Sequence, residues 1–265
     1  MKVYISVDIE GVAGITHWDE AEKGHADWAE FREIMTREAI AAIDGARAAG
    51  ATEIWVKDAH DSGRNLITPM LPADVTLIRE WSGHPYSMIQ ELDESFAALV
   101  MIGHHAGVGS EGNSLAHTLN TRTHMMTLNG TPVSEFRLCA LAAASLGVPV
   151  AFISGDKALM EEVEQTNPHI GRLAVKEGRG QSTISMTPLA AQNAIQAGVE
   201  KSLRGKLKDC LLPLPEKFTL DLTYVSPAMA YEKSFYPGCK YLGNRTNRVE
   251  AATIFDVMRA LRFIK

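Results

Sequence analysis

The stretch "VYISVDIEGVAG", residues 3–14, is an apolar run that two carboxylates interrupt, at Asp8 and Glu10. Side chains two positions apart on a strand leave from the same face, so these carboxylates are expected side by side where the strand ends. Burying such a pair without compensation costs on the order of several kcal/mol per ion. The pattern therefore predicts a cation between the two groups, and a metal ion is the first candidate.

Strand and helix signals alternate through the first two-thirds of the chain. Apolar segments predict buried strands at "TEIWVKDAH" (52–60), "VTLIRE" (75–80), "FAALVMIGHHAG" (96–107) and "PVAFISG" (149–155). Helical periodicity covers residues 26–50, where Gly50 is a plausible C-terminal stop, and also 85–94 and 136–147. Asn129-Gly130 is a hairpin signal. This rhythm predicts an α/β fold, with a mainly parallel sheet flanked by helices in a Rossmann-like three-layer arrangement.

The last third of the sequence has a different character. It combines a helical segment at 188–203, an alternating half-exposed strand at 217–225, and a strand end that leads into an amphipathic helix at 248–264. We therefore predict a metal-binding catalytic α/β domain over residues 1–185. A smaller α+β domain is predicted over residues 186–265, with an approximate boundary.

Composition and charge narrow the partners and the compartment. The net charge is −6, which argues against nucleic acid and anionic membrane surfaces as partners and leaves small molecules or peptides. No apolar run approaches the roughly 20 residues of a membrane span, and no signal peptide is recognisable. The three cysteines include no C-x-x-C pair, which fits reduced thiols and a cytoplasmic protein.

Side chains that can bind a metal ion occur at the predicted ends of several strands. They are Asp8 and Glu10, Asp58 and His60, and His104 and His105, with Glu135 after the hairpin. The carboxyl ends of strands in an open α/β sheet converge on one crevice, so these residues can meet there. Carboxylates with imidazoles suit zinc or another borderline divalent ion. Three carboxylates favour two divalent ions, with Asp8 as the best-placed bridge.

Each of these residues also has a simpler interpretation. An aspartate at a strand end is usually a turn or cap residue, and a single histidine in a loop is usually solvated. The metal hypothesis rests on the coincidence of several such positions at one edge of the sheet. His117, in a polar loop, is a candidate general base or transition-state stabiliser. Strand alternation allows only one of His104 and His105 to face the site, and the pattern does not say which.

The segment "GVGSEG" (107–112) matches the dinucleotide-binding pattern G-x-G-x-x-G. It lies in the wrong context, because the pattern belongs after the first strand of a βαβ unit and must open a helix. A Thr- and Asn-rich segment follows here instead. We therefore expect these glycines to form a loop beside the site, without a dinucleotide cofactor.

The motif "SVDIEG", Ser6 to Gly11, resembles the S-x-D-x-E-G signature of the DppA-type D-aminopeptidases. These are zinc metallopeptidases of bacterial dipeptide-transport operons. The resemblance continues in order and spacing through "KDAHDSG", "MIGHHAG", "AHT" and "NGTPVSEF". It covers nearly all of the first two-thirds of the chain, whereas the last third is similar to the family only in general layout.

The resemblance implies a site, an activity and an assembly. Its metal ligands would fall on Asp8, Glu10, His60, His104 and Glu135, with Asp8 shared between two zinc ions per subunit, and its catalytic histidine on His117. The implied reaction releases N-terminal residues, D-amino acids such as D-Ala, from short peptides by metal-activated water. The family is also similar in forming a ring-like homodecamer, which implies a homo-oligomer here.

Two alternatives stay open at this point. One is another two-metal hydrolase, an amidase or a phosphoesterase, although no Arg cluster for phosphate recognition accompanies the predicted ligands. The other is a non-enzymatic peptide-binding protein with a structural ion, in which the protein would fill every coordination position. Metal analysis and assays on peptides and a phosphoester separate the three.

Overall fold

The computed structural model describes residues 1–265, the whole sequence, and contains twelve strands and seven α-helices. The strands are β1 (Lys2–Val7), β2 (Glu53–Asp58), β3 (Val75–Ile78), β4 (Ala98–His104), β5 (Thr123–Leu128), β6 (Thr131–Pro132), β7 (Val150–Asp156), β8 (Gly171–Arg179), β9 (Ser182–Ser185), β10 (Phe218–Tyr224), β11 (Cys239–Gly243) and β12 (Thr246–Ala251). The helices are α1 (Trp18–Ala21), α2 (Trp28–Ala48), α3 (Glu135–Ser145), α4 (Lys157–Thr166), α5 (Pro188–Leu203), α6 (Pro227–Lys233) and α7 (Ile254–Ile264).

The larger sheet has seven strands in the order β3-β2-β1-β4-β7-β8-β9, and every neighbouring pair is parallel except β8 and β9. The predicted mainly parallel sheet is confirmed. Strand β1 pairs with β2 on one side and β4 on the other, with Val7 opposite both Asp58 and Ile102. The strand order reverses direction between β1 and β4. Such a switch point opens a crevice at the carboxyl ends of the strands, where ligands bind in folds of this kind.

Apolar side chains of β1 cover both faces of the sheet. Val3, Ile5 and Val7 join the core beneath helices α2 and α5, whereas Tyr4 points into the core on the other face. Both cores exclude solvent, so β1 is hydrophobic on both faces apart from Ser6, whose hydroxyl donates to the buried carbonyl of Met88. The carboxylates after Val7 are therefore carried directly from this core to the carboxyl edge of the sheet.

The second sheet is antiparallel, with five strands in the order β11-β12-β10-β5-β6. The predicted hairpin joins β5 to β6, and Asn129 and Gly130 both have positive φ, as a two-residue hairpin turn of this type requires. Burial alternates along β10, from Phe218 to Tyr224, as the sequence pattern predicts. Helix α7 packs against β10 and β12 and also against α3.

The helix predicted over residues 85–94 is wrong. Only Ser87–Ile89 forms a short 3₁₀ turn there. Ser87 and Glu91 have positive φ, which an α-helix of L-residues excludes. The apolar periodicity arises because Met88, Ile89 and other side chains of this segment pack into the core below β1 and β2 without a helix.

Contacts cross the predicted domain boundary near residue 185 in both directions. Helix α5 packs on α2, β7 and β8 of the larger sheet, and β5 from the first part pairs with β10 from the last. The division into residues 1–185 and 186–265 stays a prediction. No helix combines the length and the apolar character that a membrane crossing demands.

Candidate metal centre

Three buried carboxylates meet at the switch point of the larger sheet. Asp8 and Glu10 follow β1, and Glu135 is the first residue of α3, whose N-cap is Ser134. Each of the three is at most 3% exposed. Glu135 reaches the crevice because Ser134 accepts a hydrogen bond from the backbone N–H of Arg137 and fixes the start of the helix. Three acids without solvent demand a positive partner.

His60 contacts two of these carboxylates. Its Nδ1 lies 3.3 Å from Asp8 Oδ1 and 3.1 Å from Glu10 Oε2. Its Nε2 is 2.9 Å from the carbonyl oxygen of Ala21. A carbonyl only accepts hydrogen bonds, so Nε2 carries a proton, and Nδ1 is the ring nitrogen that faces the carboxylates and could bind a metal ion in their place. A backbone partner that fixes the tautomer is the usual support of a metal-binding histidine.

His105 and His117 have the same type of support. Each Nδ1 lies 2.9 Å from a backbone carbonyl, that of Ala106 for His105 and that of Leu115 for His117, so each Nδ1 donates. The Nε2 atoms then face the acids. His105 Nε2 is 3.5 Å from Glu135 Oε2, and His117 Nε2 is 3.7 Å from Glu135 Oε1. Both rings thus direct Nε2 at the cluster as the nitrogen that could bind a metal ion.

His104 lies at the end of β4 and is completely buried. Its Nδ1 is 3.8 Å from Asp8 Oδ2, and neither ring nitrogen has a hydrogen-bond partner. Burial lowers the pKa of His104 to about 4, so the ring is neutral near pH 7. A neutral, unpartnered imidazole in the interior is suited to binding a metal ion.

The acids and imidazoles form three groups of possible metal ligands, in each of which the ligand atoms lie within 4.8 Å of one another. The groups are Asp8 with Glu10 and His60, Asp8 with His104 and Glu135, and Glu10 with His105 and His117. Five buried atoms here lack any hydrogen-bond partner: Glu10 Oε2, Glu135 Oε2, His105 Nε2 and both ring nitrogens of His104. Buried polar atoms without partners are rare, and their concentration at one point fits a divalent ion. The oxygen and nitrogen donor set suits zinc.

The charges of the cluster are in conflict without a cation. Burial and the neighbouring Glu10 raise the pKa of Asp8 well above its usual value. Burial also opposes the ionisation of Glu135, but the charge of His105 holds the pKa of Glu135 down at about 2. In the same pair, burial is outweighed by the charge of Glu135, which raises the pKa of His105 to about 10. A bound divalent ion would relieve the repulsion among the carboxylates, because it would provide the positive charge that the imidazoles provide here.

Two glycines allow the metal-binding segments to approach one another. The backbone N–H of Gly11 donates to the carbonyl of Gly103 at 2.8 Å. A Cβ at Gly11 would collide with the carbonyl of His104, and a Cβ at Gly103 would collide with the carbonyl of Asp8. Gly103 also has a positive φ of 69°. The glycine after Glu10 in the motif is thus required by the close packing of two backbones.

A buried lysine fixes the backbone of Glu10. Lys176, from β8, donates to the carbonyl of Glu10 at 2.6 Å and to that of Ile15 at 3.0 Å. Asn113 donates to the same Glu10 carbonyl at 3.2 Å and to Asp156 at 2.9 Å. Neither residue is predicted from the sequence, because no local pattern around Lys176 distinguishes it from a surface lysine. They hold the segment that carries Glu10 in place.

A cavity of about 200 Å³ opens over the cluster. Asp8, Glu10, His60, His117 and Glu135 lie in its wall, together with Trp81, Arg262 and Lys265. A larger cavity of about 660 Å³ lies elsewhere, between the β5–β6 hairpin and α4. It contains none of the candidate metal-binding side chains, so the chemistry belongs to the smaller cavity.

The structure brings together all six residues singled out from the sequence, namely Asp8, Glu10, His60, His104, His117 and Glu135. His105 is the one that sequence reasoning set aside. Strand β4 ends at His104, so the alternation of side chains does not extend to His105, and both rings reach the cluster. Asp58 has a structural role instead, because it accepts hydrogen bonds from the backbone N–H groups of Asn65 and Leu66.

The fold and the buried carboxylate–imidazole cluster define a metallohydrolase of the α/β class. Residues 1–263 match the model of the peptidase family described as D-aminopeptidase. The chain belongs to this family, which confirms both the predicted membership and the assignment to the metallo-aminopeptidases. The match extends through the last third, where the sequence motifs gave no specific resemblance.

Two relatives agree with this membership. The chain is 29% identical to a D-aminopeptidase of Bacillus subtilis (strain 168), over 98% of this chain and 95% of the relative. Its fold is similar, with a TM-score of 0.91 and 27% identity, to a solved structure described as the Zn-dependent D-aminopeptidase DppA from Bacillus subtilis, a self-compartmentalizing protease. That similarity covers 98% of this chain and 95% of the solved one.

Proposed function

We propose that the protein is a binuclear zinc aminopeptidase that releases N-terminal residues, D-amino acids such as D-Ala, from short peptides. The proposed number of two zinc ions per chain rests on one observation. The two groups that share Asp8 contain the five predicted ligands and no others, with Glu10 and His60 on one side and His104 and Glu135 on the other. A carboxylate with two oxygens directed to different neighbours is the normal bridge of a two-metal site.

Zinc, when bound, supplies a Lewis acid for the scissile carbonyl and lowers the pKa of water towards 7. The chain supplies proton transfer. His117 is the most exposed imidazole of the cluster, and its Nε2 is 3.8 Å from Glu10 Oε1 with no hydrogen bond of its own. Burial and the charge of His105 lower the pKa of His117, so it is neutral near pH 7. His117 can therefore accept a proton from the attacking water and return it to the leaving amine.

Other residues of the chain hold this geometry. Trp18 packs edge-on against His117, with 5.3 Å between ring centroids, and limits the positions that the imidazole can adopt. Glu135 accepts a hydrogen bond from the backbone N–H of Leu119 at 2.6 Å, which ties the His117 loop to α3. The proton-transfer group and the metal-binding acids are thus fixed relative to each other before substrate binds.

The test is metal analysis of the purified protein, followed by assays on D-Ala dipeptides, the matching L-Ala dipeptides and a generic phosphoester. We expect about two zinc ions per chain, release of free D-Ala, and no phosphoester cleavage. One zinc ion per chain in a fully active enzyme would contradict the binuclear proposal. Cleavage of the phosphoester or of L-peptides alone would contradict the substrate assignment, and bound zinc without any hydrolysis would favour a structural ion.

We also propose a ring-like homodecamer in the cytoplasm. The relative of known structure is described as self-compartmentalizing, and this chain has large apolar side chains exposed on α6, β11 and α7, such as Tyr231, Tyr241 and Phe263. Exposed apolar groups concentrated in one region are typical of a subunit interface. Light scattering on the purified protein should give a mass near ten chains, whereas a monomer mass would contradict the proposal.

A further inference from the structure

We propose that Arg262 and Lys265 bind the free C-terminal carboxylate of a short peptide substrate while its N-terminal end lies over the metal cluster. The inference rests on the proposed aminopeptidase function and specifies which peptides the site accepts. Both cations lie in the wall of the same 200 Å³ cavity as Asp8, Glu10 and Glu135. Arg262 is in the last turn of α7 and Lys265 caps its C-terminal end, far from the metal ligands in the sequence.

Neither cation has a partner within the protein. The side chains of Arg262 and Lys265 make no ion pair and no hydrogen bond, whereas Arg259, one turn earlier on α7, pairs with Asp256 at 2.7 Å. Arg262 and Lys265 lie three positions apart at the end of α7 and line the same cavity, so their side chains lie near each other. An unpaired guanidinium and ammonium side by side at a cavity are suited to a carboxylate, which can accept from both.

The charges around Lys265 are consistent with an anion site. Burial lowers the pKa of Lys265, and the guanidinium groups of Arg262 and Arg122 lower it further, although Glu135 opposes them. The positive charges of Lys265, Arg262 and Arg122 therefore repel one another in the absence of a ligand, and a bound carboxylate would relieve that repulsion. The electrostatic gain is larger here than at an open surface because the cavity is partly shielded from solvent.

The other acids of the cavity do not fill this role. Asp8, Glu10 and Glu135 are the proposed metal ligands, so their charges are compensated when the metals are bound. Asp61 is the remaining acid in the wall, and its carboxylate makes no ion pair with either cation. In the metal-loaded protein, Arg262 and Lys265 are then free positive charges that face a substrate.

The cavity that contains both the cations and the metal-binding acids is small. Its volume of about 200 Å³ lies below the range of roughly 300–1,000 Å³ that is usual for pockets of drug-sized ligands. A peptide that has its first peptide bond at the cluster reaches the cations within a few residues. A carboxylate at that point marks the end of the chain, so the pair would select short peptides over internal segments of longer ones.

The test compares the dipeptide D-Ala-Gly with its C-terminal amide on the zinc-loaded wild-type enzyme, by release of D-Ala. Loss of a charge-assisted interaction predicts that kcat/KM is roughly 10- to 100-fold higher for the acid, with the difference mainly in KM. Arg262→Gln should lower this acid-to-amide ratio severalfold, and the Arg262→Gln, Lys265→Gln double variant should bring it near one. Arg262→Lys should retain part of the ratio, because it keeps the charge but loses the planar fork.

Arg259→Gln is the matched control, because it removes a cation from the same helix outside the cavity, and its acid-to-amide ratio should equal that of the wild type. An amidated tripeptide D-Ala-Gly-Glu distinguishes a side-chain carboxylate from the terminal one, and it should behave as an amide. Equal rates on the acid and the amide by an active wild-type enzyme would overturn the inference and leave the aminopeptidase intact. Absence of D-Ala release from either peptide would instead overturn the proposed function. Zinc content and circular dichroism of each variant identify any change that acts through folding.

Discussion

The imidazoles of His105 and His117 stack at a centroid separation of 4.2 Å, with 12° between the ring planes. His105 is fixed by its hydrogen bond to Ala106 at the end of β4, whereas His117 lies in a loop. The rigid ring therefore orients the loop ring, and both Nε2 atoms face Glu135. This relationship separates the two histidine roles: one side chain belongs to the scaffold of the cluster and the other is available for proton transfer.

His117→Ala tests that separation. The variant should keep both zinc ions, because none of the five proposed ligands changes, and should lose roughly 10²- to 10⁴-fold in kcat through loss of proton transfer. Zinc content by atomic emission and kcat on a D-Ala dipeptide measure the two effects. His124→Ala, which removes an exposed histidine of β5, is the control and should match the wild type in both. Full activity in His117→Ala would show that the histidine has no part in turnover.

His60→Ala has a different expected outcome. It removes the imidazole that contacts both Asp8 and Glu10. The repulsion between those two buried carboxylates is then less well compensated. Zinc and activity should fall together, and added zinc should restore activity only at higher concentration than the wild-type apoprotein needs. Titration of zinc into chelator-treated protein, followed by activity, gives the comparison. A variant that loses turnover but retains two tightly bound zinc ions would place His60 outside the ligand set.

Much of this arrangement follows from the sequence for a physical reason. A buried parallel strand leaves few polar positions and none for an unpaired charge, so Asp8 and Glu10 stand out directly after β1, and the carboxyl edge is where strands of this fold converge. The same pattern also indicates His60, the His104–His105 pair and Glu135 as candidates, whereas the choice of His104 over His105 rests on the family resemblance. His105 is excluded only if side-chain alternation continues past the end of β4, and it does not.

Other features depend on contacts that sequence patterns do not encode. The apolar periodicity of residues 85–94 predicts a helix, yet the positive φ of Ser87 and Glu91 breaks it, and neither is a glycine that would have marked the break. Lys176 and Arg262 acquire their roles only because β8 and α7 pack near the cluster. Such tertiary placements are set by the whole fold.

Gly11→Ala tests the close approach of β1 and β4. An added methyl group would collide with the backbone carbonyl of His104, so the segments must move apart. We expect a loss of about 1–3 kcal/mol in the free energy of unfolding, with weaker zinc binding, measured by urea denaturation and zinc titration. Gly50→Ala is the control: its positive φ makes alanine unfavourable by about 1–2 kcal/mol, but it has open space around it and lies after α2. It should lose stability and keep its zinc affinity, and a Gly11→Ala protein with unchanged affinity would contradict the proposed constraint.

Glu38→Gln should change the pH dependence of stability. Glu38 of α2 is fully buried, and its Oε1 accepts a hydrogen bond from the backbone N–H of Ala13 at 2.9 Å. Burial raises the pKa of Glu38 from its ordinary 4.5 to about 7. The folded protein therefore holds this proton more tightly than the unfolded chain, so the stability that protonated Glu38 provides is complete below about pH 4.5 and is lost as the pH rises through 7.

Glutamine has no charge and retains the oxygen that accepts from Ala13, so it removes only the titration. The variant and the wild type should unfold at similar urea concentrations at pH 5, and at pH 8 the variant should be more stable by up to about 3 kcal/mol. Because both proteins carry the same metal site, the difference between them isolates Glu38 from other titrating groups. Glu33→Gln, on the exposed face of the same helix, should change stability by no more than about 1 kcal/mol at either pH. A difference between Glu38→Gln and the wild type that is equal at pH 5 and pH 8 would show that Glu38 is ionised in the folded protein across this range.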